Sequence, residues 1–475
     1  MMPPLMINLW SLGRCLGLAL LAIWLATAVH HRVHLEHASW SLGNHDSTSD
    51  DPGLGVLLRN RHRNDDLHGQ ITVFVAQDAL LYNAADPHQQ WISISAGRTL
   101  HILPNVDEGF LITSRGFPED LSWQVGPIRL VPDDHATLDL LRGNTDDNGP
   151  DVFELLQRHN VEARNQRAVF SIGSRRYRGS LDIAWVNARH LAAINSLPIE
   201  SYLEGVLQSE LSTTWPLETL KAQAVASRTF ALAKVLGGGR HMGNARFHVR
   251  DSVADQDYQG TGNGGSKIDW AIHATRGQVL TIDGEIFTPF FHASSGGQLA
   301  SVTSVFPPAD SQAERAQALA SVMPAQDDPF CLQGVEALGR VDSHWRRELR
   351  LSRGELRNML RERDEQAGWP MRITVERTPS GHIETITLGW AGGETRMSGA
   401  AFRTMVGANR LRSTLWSSDS PDSDREYFTF TSYGWGHGVG MSQMSAYAMA
   451  RFHGYRYRDI IDFFYPGSVV ELAWR

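Results

Sequence analysis

Cysteine is nearly absent from this 475-residue chain, which has only Cys15 and Cys331. Cys15 lies in an N-terminal apolar stretch. A chain that loses that stretch keeps one thiol, with no intramolecular disulfide and no cysteine-rich zinc site. Twenty histidines leave other metal sites open, but none shows a ligand spacing such as H-E-x-x-H; the expectation is no metal and no other cofactor. Long Lys/Arg runs are also missing, and the formal net charge is -8. Phosphate binding needs a basic footprint, so no nucleic-acid partner is expected. Repeats of solenoid or propeller length are absent. An apolar share of 42% and a charged share of 20% exclude a wholly disordered or fibrous chain. The length suggests two or three domains at roughly 150 residues each.

What is present begins with Arg14, followed by an apolar run from Cys15 to Val29 that contains Ala26-Thr27-Ala28. A positive charge, an apolar run and a small-x-small site describe a signal peptide. Counted from Met6, the run is also long enough for an uncleaved membrane anchor. A buried core helix is disfavoured, because nothing amphipathic accompanies the run. Residues 1–30 are therefore read as a signal or anchor. The remainder is expected to be exported, in the periplasm or cell envelope, touching a membrane only through this segment. Residues 31–66, rich in His, Asn, Asp, Arg and Gly, read as a solvated linker.

Ile71, Val73 and Val75 recur at every second place, as do Ile92 and Ile94. Period-2 recurrence predicts half-buried strands, and residues 67–150 read as a β-rich domain ending at the turn-rich 144–150. Residues 165–475 form the fourth part. There, strands over 169–183 precede a helix from Ile199 to about Gln208. A second helix, Leu217–Val235, is opened by Pro216 and closed by Gly237-Gly238-Gly239. A hairpin pairs Arg372–Arg377 with His382–Leu388, and the last helix runs from about Ser442 to His453. Helices and strands mix without regular alternation, which predicts an α+β core.

Three constellations carry chemistry-bearing residues. In the first, Glu210 ends one helix beside Leu211 and Trp215. The negative end of the helix dipole and an apolar surround both disfavour a charged carboxylate. A general acid needs that protonated state near neutral pH, although an exposed glutamate at a helix end fits the same residues. On the next helix Lys221 and Arg228 share a face, as do Gln223 and Ser227; taken alone, these positions also fit packing. Glu204 and Glu218 read as solvated-face residues. In the second constellation, Ser294-Ser295-Gly296-Gly297 follows an apolar strand and presents hydroxyls and N–H groups, or is simply a tight turn. The third is Gly434-Trp435-Gly436-His437-Gly438-Val439-Gly440. Alternate glycines in an extended strand would give one bare face, open to a ligand or to close packing.

Taken in order, these blocks resemble the stage II sporulation protein D family, whose members are also described as amidase enhancers. The resemblance runs from about Phe170 to Val470. It is carried by Tyr177-Arg178-Gly179, Leu197-Pro198-Ile199-Glu200-Ser201-Tyr202-Leu203, the Glu210 block, Lys221 through Thr229, Gln256-Asp257-Tyr258-Gln259-Gly260, Asp327-Asp328-Pro329-Phe330 and Gly434 through Gln443. The resemblance implies a lytic transglycosylase that cleaves peptidoglycan glycan strands between N-acetylmuramic acid and N-acetylglucosamine. Glu210 would be its catalytic acid/base. Lys221, Gln223, Arg228, Gln256, Tyr258, Ser294, Ser295, Gly296, Gly297, Trp435, His437 and Gln443 would bind substrate. The alternative it implies is a non-catalytic wall-binding protein that enhances a partner, a cell-wall amidase. Some members carry a Cys/His zinc pair before Q-x-Y; residues 250–258 here hold neither residue type, so the metal expectation stays at none.

Overall fold

The structure is a computed structural model that describes residues 51–60, 65–83, 91–105, 109–114, 121–124, 128–133, 169–243, 245–261, 266–307, 313–419 and 421–474. The expected signal or anchor at 1–30 and the turn-rich boundary at 144–150 lie outside these. The architecture is α+β, in two compact units. One holds Ala38–Pro289 with Tyr455–Arg458 and Ser468–Arg475; the other holds Phe290–Gly454 with Asp459–Gly467. Among the described residues no helix is long and apolar enough to cross a membrane.

The first unit, which contains Glu210, is built on two large sheets. The seven-stranded sheet runs in the order Val249–Arg250, Gly53–Leu58, His190–Pro198, Ser180–Asn187, Ile128–Pro132, Ala79–Asn83, Trp91–Ile94. The six-stranded sheet runs Arg175–Tyr177, Phe170–Ile172, Ile71–Val75, Thr99–Asn105, Gly109–Thr113, Leu121–Gln124. Ile71–Val75 alternates buried and exposed, as its period-2 pattern requires.

Two expectations about boundaries change here. Within the expected linker, Gly53–Leu58 is a strand buried at all six positions, pairing Leu54 with Leu197 and Val56 with Asn195. A strand covered on both faces has no alternation to read, and this one sits among polar neighbours in sequence. Nor do the strands of 67–150 stand apart: those before residue 133 and those after residue 169 hydrogen-bond into the same two sheets.

The helix Ile199–Glu210 follows the strand ending at Pro198, which is its N-cap. Asp51 comes from a distant part of the chain to accept the Glu200 N–H at 3.0 Å, satisfying an otherwise orphaned donor of the first turn. The helix runs through Glu210, two residues beyond its expected end. The long helix Leu217–Leu236 has little amphipathicity and is buried over most of its length, which marks an interior helix. Ala222, Ala224 and Ala226, all fully buried, keep its packing close.

In the second unit the expected hairpin is present as Arg372–Arg377 and Ile383–Trp390, extended by Gly393–Ser398. Arg346–Ser352 pairs with Tyr427–Tyr433. Leu351, Leu356, Phe402, Trp416, Phe428 and Phe430 fill the core between these elements. The helix Gln443–Phe452 is not the last element: Tyr457–Phe464 and Val469–Leu472 follow it. Val469–Leu472 belongs to the Glu210 unit, where it pairs with Gln278–Ile282.

Candidate functional site

Glu210 is the final residue of its helix, partly exposed, with buried Leu211 and Trp215 after it and exposed Ser212–Thr214 between them. The Asp257 backbone N–H donates to Glu210 Oε1 at 3.2 Å. That donor is held in place from both sides. Gln256 accepts the Tyr202 hydroxyl at 3.0 Å, the Tyr258 hydroxyl donates to Asn195 Oδ1 at 2.8 Å, and Ser209 Oγ donates to the Asp257 carbonyl. Asn195 is itself fixed by donating to the Arg178 and Ser180 carbonyls at 2.8 and 3.0 Å.

The loop lies directly on the helix because residue 205 is glycine. A Cβ there would stand 2.4 Å from the Gly260 carbonyl oxygen and 2.6 Å from the Tyr258 ring. Burial pushes the Tyr202 and Tyr258 phenols well above their ordinary pKa, so both stay neutral donors. Next to the loop, Asp255 is buried, which alone would raise its pKa. Lys234, Arg240 and the Arg250 N–H outweigh that and hold it below the usual carboxylate value.

The expected substrate contacts of Gln223, Arg228, Gln256 and Tyr258 are not available in this arrangement, since all four are at most 1% exposed. Gln256 and Tyr258 hold the loop. Gln223 donates to Ser227 at 3.0 Å. Arg228 forms a bidentate pair with Glu200 at 2.8 and 3.0 Å and donates to the Gln278 and Ile272 carbonyls at 3.1 and 3.3 Å. The i, i+4 pair of Gln223 and Ser227 does meet, but in the interior, because the helix is buried over most of its length. Lys221 keeps some exposure and contacts Glu218 at 2.7 Å.

Glu204 and Glu218 are likewise not freely solvated. Glu204 pairs with Arg178; burial raises its pKa against the pull of that guanidinium. Glu218 also accepts the Tyr457 N–H at 2.9 Å. The sequence reading missed Asn195, Tyr202 and the Asp257 N–H, because each acts through tertiary contacts 47 to 63 residues apart.

The remaining expected residues belong to the second unit. Ser295 donates to Asp328 Oδ2 at 2.6 Å, as does Ser445, while Ser294 lies 3.2 Å from the Cys331 sulfur. Ser294, Ser295, Gly296 and Gln443 are buried, whereas Gly297, Trp435 and His437 are half-buried. The Arg412 guanidinium covers the Trp435 ring at 3.8 Å, and His437 packs among Phe290, Phe306 and His292.

The glycine run is not the expected extended strand. Strand structure stops at Tyr433 and resumes at Met441, and Gly434, Gly436, Gly438 and Gly440 all take positive φ. A Cβ at each would meet, respectively, the Ser294 carbonyl at 2.6 Å, His292 Cβ at 2.4 Å, His382 Cε1 at 2.8 Å and the Phe290 carbonyl at 2.0 Å. The space the glycines leave is occupied by the protein itself. His292, pushed down to about 3 by burial, is neutral; its Nδ1 lies 3.1 Å from the Val439 carbonyl. A carbonyl only accepts, so Nδ1 carries the proton.

A β-sheet-supported helix pair with one carboxylate at its break is the arrangement on which the comparisons with known proteins fall. Residues 187–282 match the family model described as Stage II sporulation protein, a span that holds the Glu210 helix, the long helix and the Gln256–Tyr258 loop. The chain is 26% identical to stage II sporulation protein D of Bacillus subtilis over 299 residues, 59% of this chain and 76% of that protein. It is 25% identical to the amidase enhancer of the same organism over 300 residues, 56% of this chain and 40% of that protein. Against an uncharacterized protein of Brachyspira hyodysenteriae it is 28% identical over 303 residues, 63% of this chain and 73% of the other. The chain thus carries a domain of the stage II sporulation protein D family.

Proposed function

We propose that the protein is an exported lytic transglycosylase acting on peptidoglycan glycan strands, with Glu210 as its single acid/base. The observation that carries the reading is the built surround of one carboxylate: partly exposed, at a helix break, with a backbone N–H aimed at Oε1 from a loop pinned by Tyr202, Asn195 and Ser209. Protonated Glu210 would give its proton to the glycosidic oxygen as the C1–O bond breaks. The C6 hydroxyl of the same muramic acid then attacks C1, and the Glu210 carboxylate takes the C6 proton. The 1,6-anhydro ring closes and the acid is regenerated. No second catalytic carboxylate is required, unlike in hydrolytic glycosidases. The Asp257 N–H would hold the carboxylate in position during the charged stage.

A second reading draws on the name of one relative, an amidase enhancer. Here the same residues would bind the wall, and a partner amidase would do the chemistry. Mass spectrometry of purified glycan strands incubated with the protein separates the two: an anhydromuramoyl product is expected, and intact strands with normal wall binding would support the enhancer reading. Export is tested separately. An alkaline phosphatase fusion after residue 60 should be active, and an inactive one would remove the localisation.

A further inference from the structure

The Glu210 unit carries a half-exposed tryptophan in a fixed polar frame. Trp270 lies within the helix Ser266–Ala274 and is 52% exposed, with exposed Asp269 and His273 beside it. Lys221 Nζ sits 5.0 Å from the Trp270 ring centroid and 5.7 Å from that of Tyr457. The frame is tied together by hydrogen bonds: Lys221 to Glu218 at 2.7 Å, the Tyr457 N–H to the other Glu218 oxygen at 2.9 Å, the Tyr457 hydroxyl to Gln278 at 2.9 Å, and Arg458 to that hydroxyl at 3.1 Å. The same helix is anchored beside the candidate catalytic group, since Lys267 Nζ donates to the Trp215 carbonyl. Trp215 ends the five-residue turn that begins after Glu210.

We propose that Trp270, framed by Lys221 and Tyr457, is a stacking subsite for a pyranose ring of the glycan strand, away from the bond that Glu210 breaks. The proposal rests on the glycan-cleaving reading above. The C–H bonds on one face of a pyranose carry partial positive charge and match the negative face of an indole. Hydroxyl and acetamido groups at the sugar's rim match the charged and phenolic groups around Trp270. The cation fixed against the ring limits its motion, so little side-chain freedom is left to lose on binding.

The test is binding of purified, peptide-free glycan strands to the non-cleaving Glu210→Gln chain, with and without Trp270→Ala. Loss of the ring should weaken binding about tenfold, the scale of one aromatic contact. Trp270→Tyr should recover most of it. Trp369→Ala, which removes a 57% exposed tryptophan from the other unit, should change nothing. Unchanged binding in Trp270→Ala, or an equal loss in Trp369→Ala, overturns the proposal. Because binding is read apart from cleavage, Trp270-dependent binding without any anhydro product in the wild type would sink the catalytic reading and leave the subsite standing.

Discussion

The glycine run at 434–440 and the Glu210 loop at 255–260 are both conspicuous in the sequence, and the structure uses them in opposite ways. Around the glycine run every missing Cβ is replaced by another part of the same unit, so its regularity records packing. Around Glu210 the glycine at 205 lets a loop lie on the helix so that a backbone N–H reaches the carboxylate. In both places the protein's own atoms fill the space a Cβ would take. The two are told apart by what the close approach delivers: packing alone at 434–440, a backbone N–H on a partly exposed carboxylate at Gly205.

Two substitutions test that contrast most strongly. Glu210→Gln keeps shape and hydrogen bonding but removes the transferable proton. Glycan cleavage should fall roughly 10²–10⁴-fold, with the thermal midpoint and wall binding nearly unchanged. Wild-type release of anhydro products by this variant would refute the assignment. Gly440→Ala should do the reverse, placing a methyl 2.0 Å from the Phe290 carbonyl at a φ of +68°. A loss of about 3 kcal/mol or more in denaturant unfolding is expected. Gly392→Ala, also at positive φ (+98°) but with nothing within 4 Å, isolates the backbone strain at roughly 1–2 kcal/mol. Equal losses in the two variants would mean that close packing contributes nothing.

The fold was readable in the sequence where local pattern decides it. The alternation at Ile71, Val73 and Val75, the helices around Glu210 and Arg228, and the hairpin across Pro379–Gly381 all recur in the structure. It was not readable where burial comes from distant chain. Gly53–Leu58 has no alternation because both its faces are covered, and the alternating glycines match a strand only until their dihedrals are known. At the candidate site, Glu210 stands out by type and place. Arg228 and Tyr258 stand out equally, yet are interior, and no spacing rule separates a charge held by Glu200 from one offered to a ligand.

A smaller effect is expected from Gly205→Ala, which tests whether the loop's closeness matters for Glu210. The added methyl would stand 2.4 Å from the Gly260 carbonyl and 2.6 Å from the Tyr258 ring, so the loop must shift. Moving the Asp257 N–H by a fraction of an ångström should slow cleavage by roughly tenfold, with a stability loss of about 1–3 kcal/mol. A destabilised variant with wild-type kcat would show that the N–H has no part in positioning the carboxylate.

The last prediction concerns the other end of the same helix. Asp51 is buried against Glu200, and burial first, then the Glu200 charge, push its carboxyl up to about 7 despite the Glu200 N–H and the nearby Arg276 and Arg228. Between about pH 4 and 7 the folded protein then holds a proton that the unfolded chain has released. The contribution of Asp51 is full below about pH 4 and is lost as pH rises toward 7, by at most about 1.4 kcal/mol per pH unit. Buried neutral His292 and His382 in the other unit, pushed down to about 3 and about 4, contribute with opposite sign, losing stability as pH falls below about 6.5. Asp51→Asn keeps an acceptor for the Glu200 N–H and cannot ionise. The difference in unfolding free energy, wild type minus variant, should therefore fall steadily from pH 4.5 to 6.5. A difference that stays flat across that window would mean that Asp51 is charged in the fold, and the helix would then begin on an ion rather than on a neutral cap.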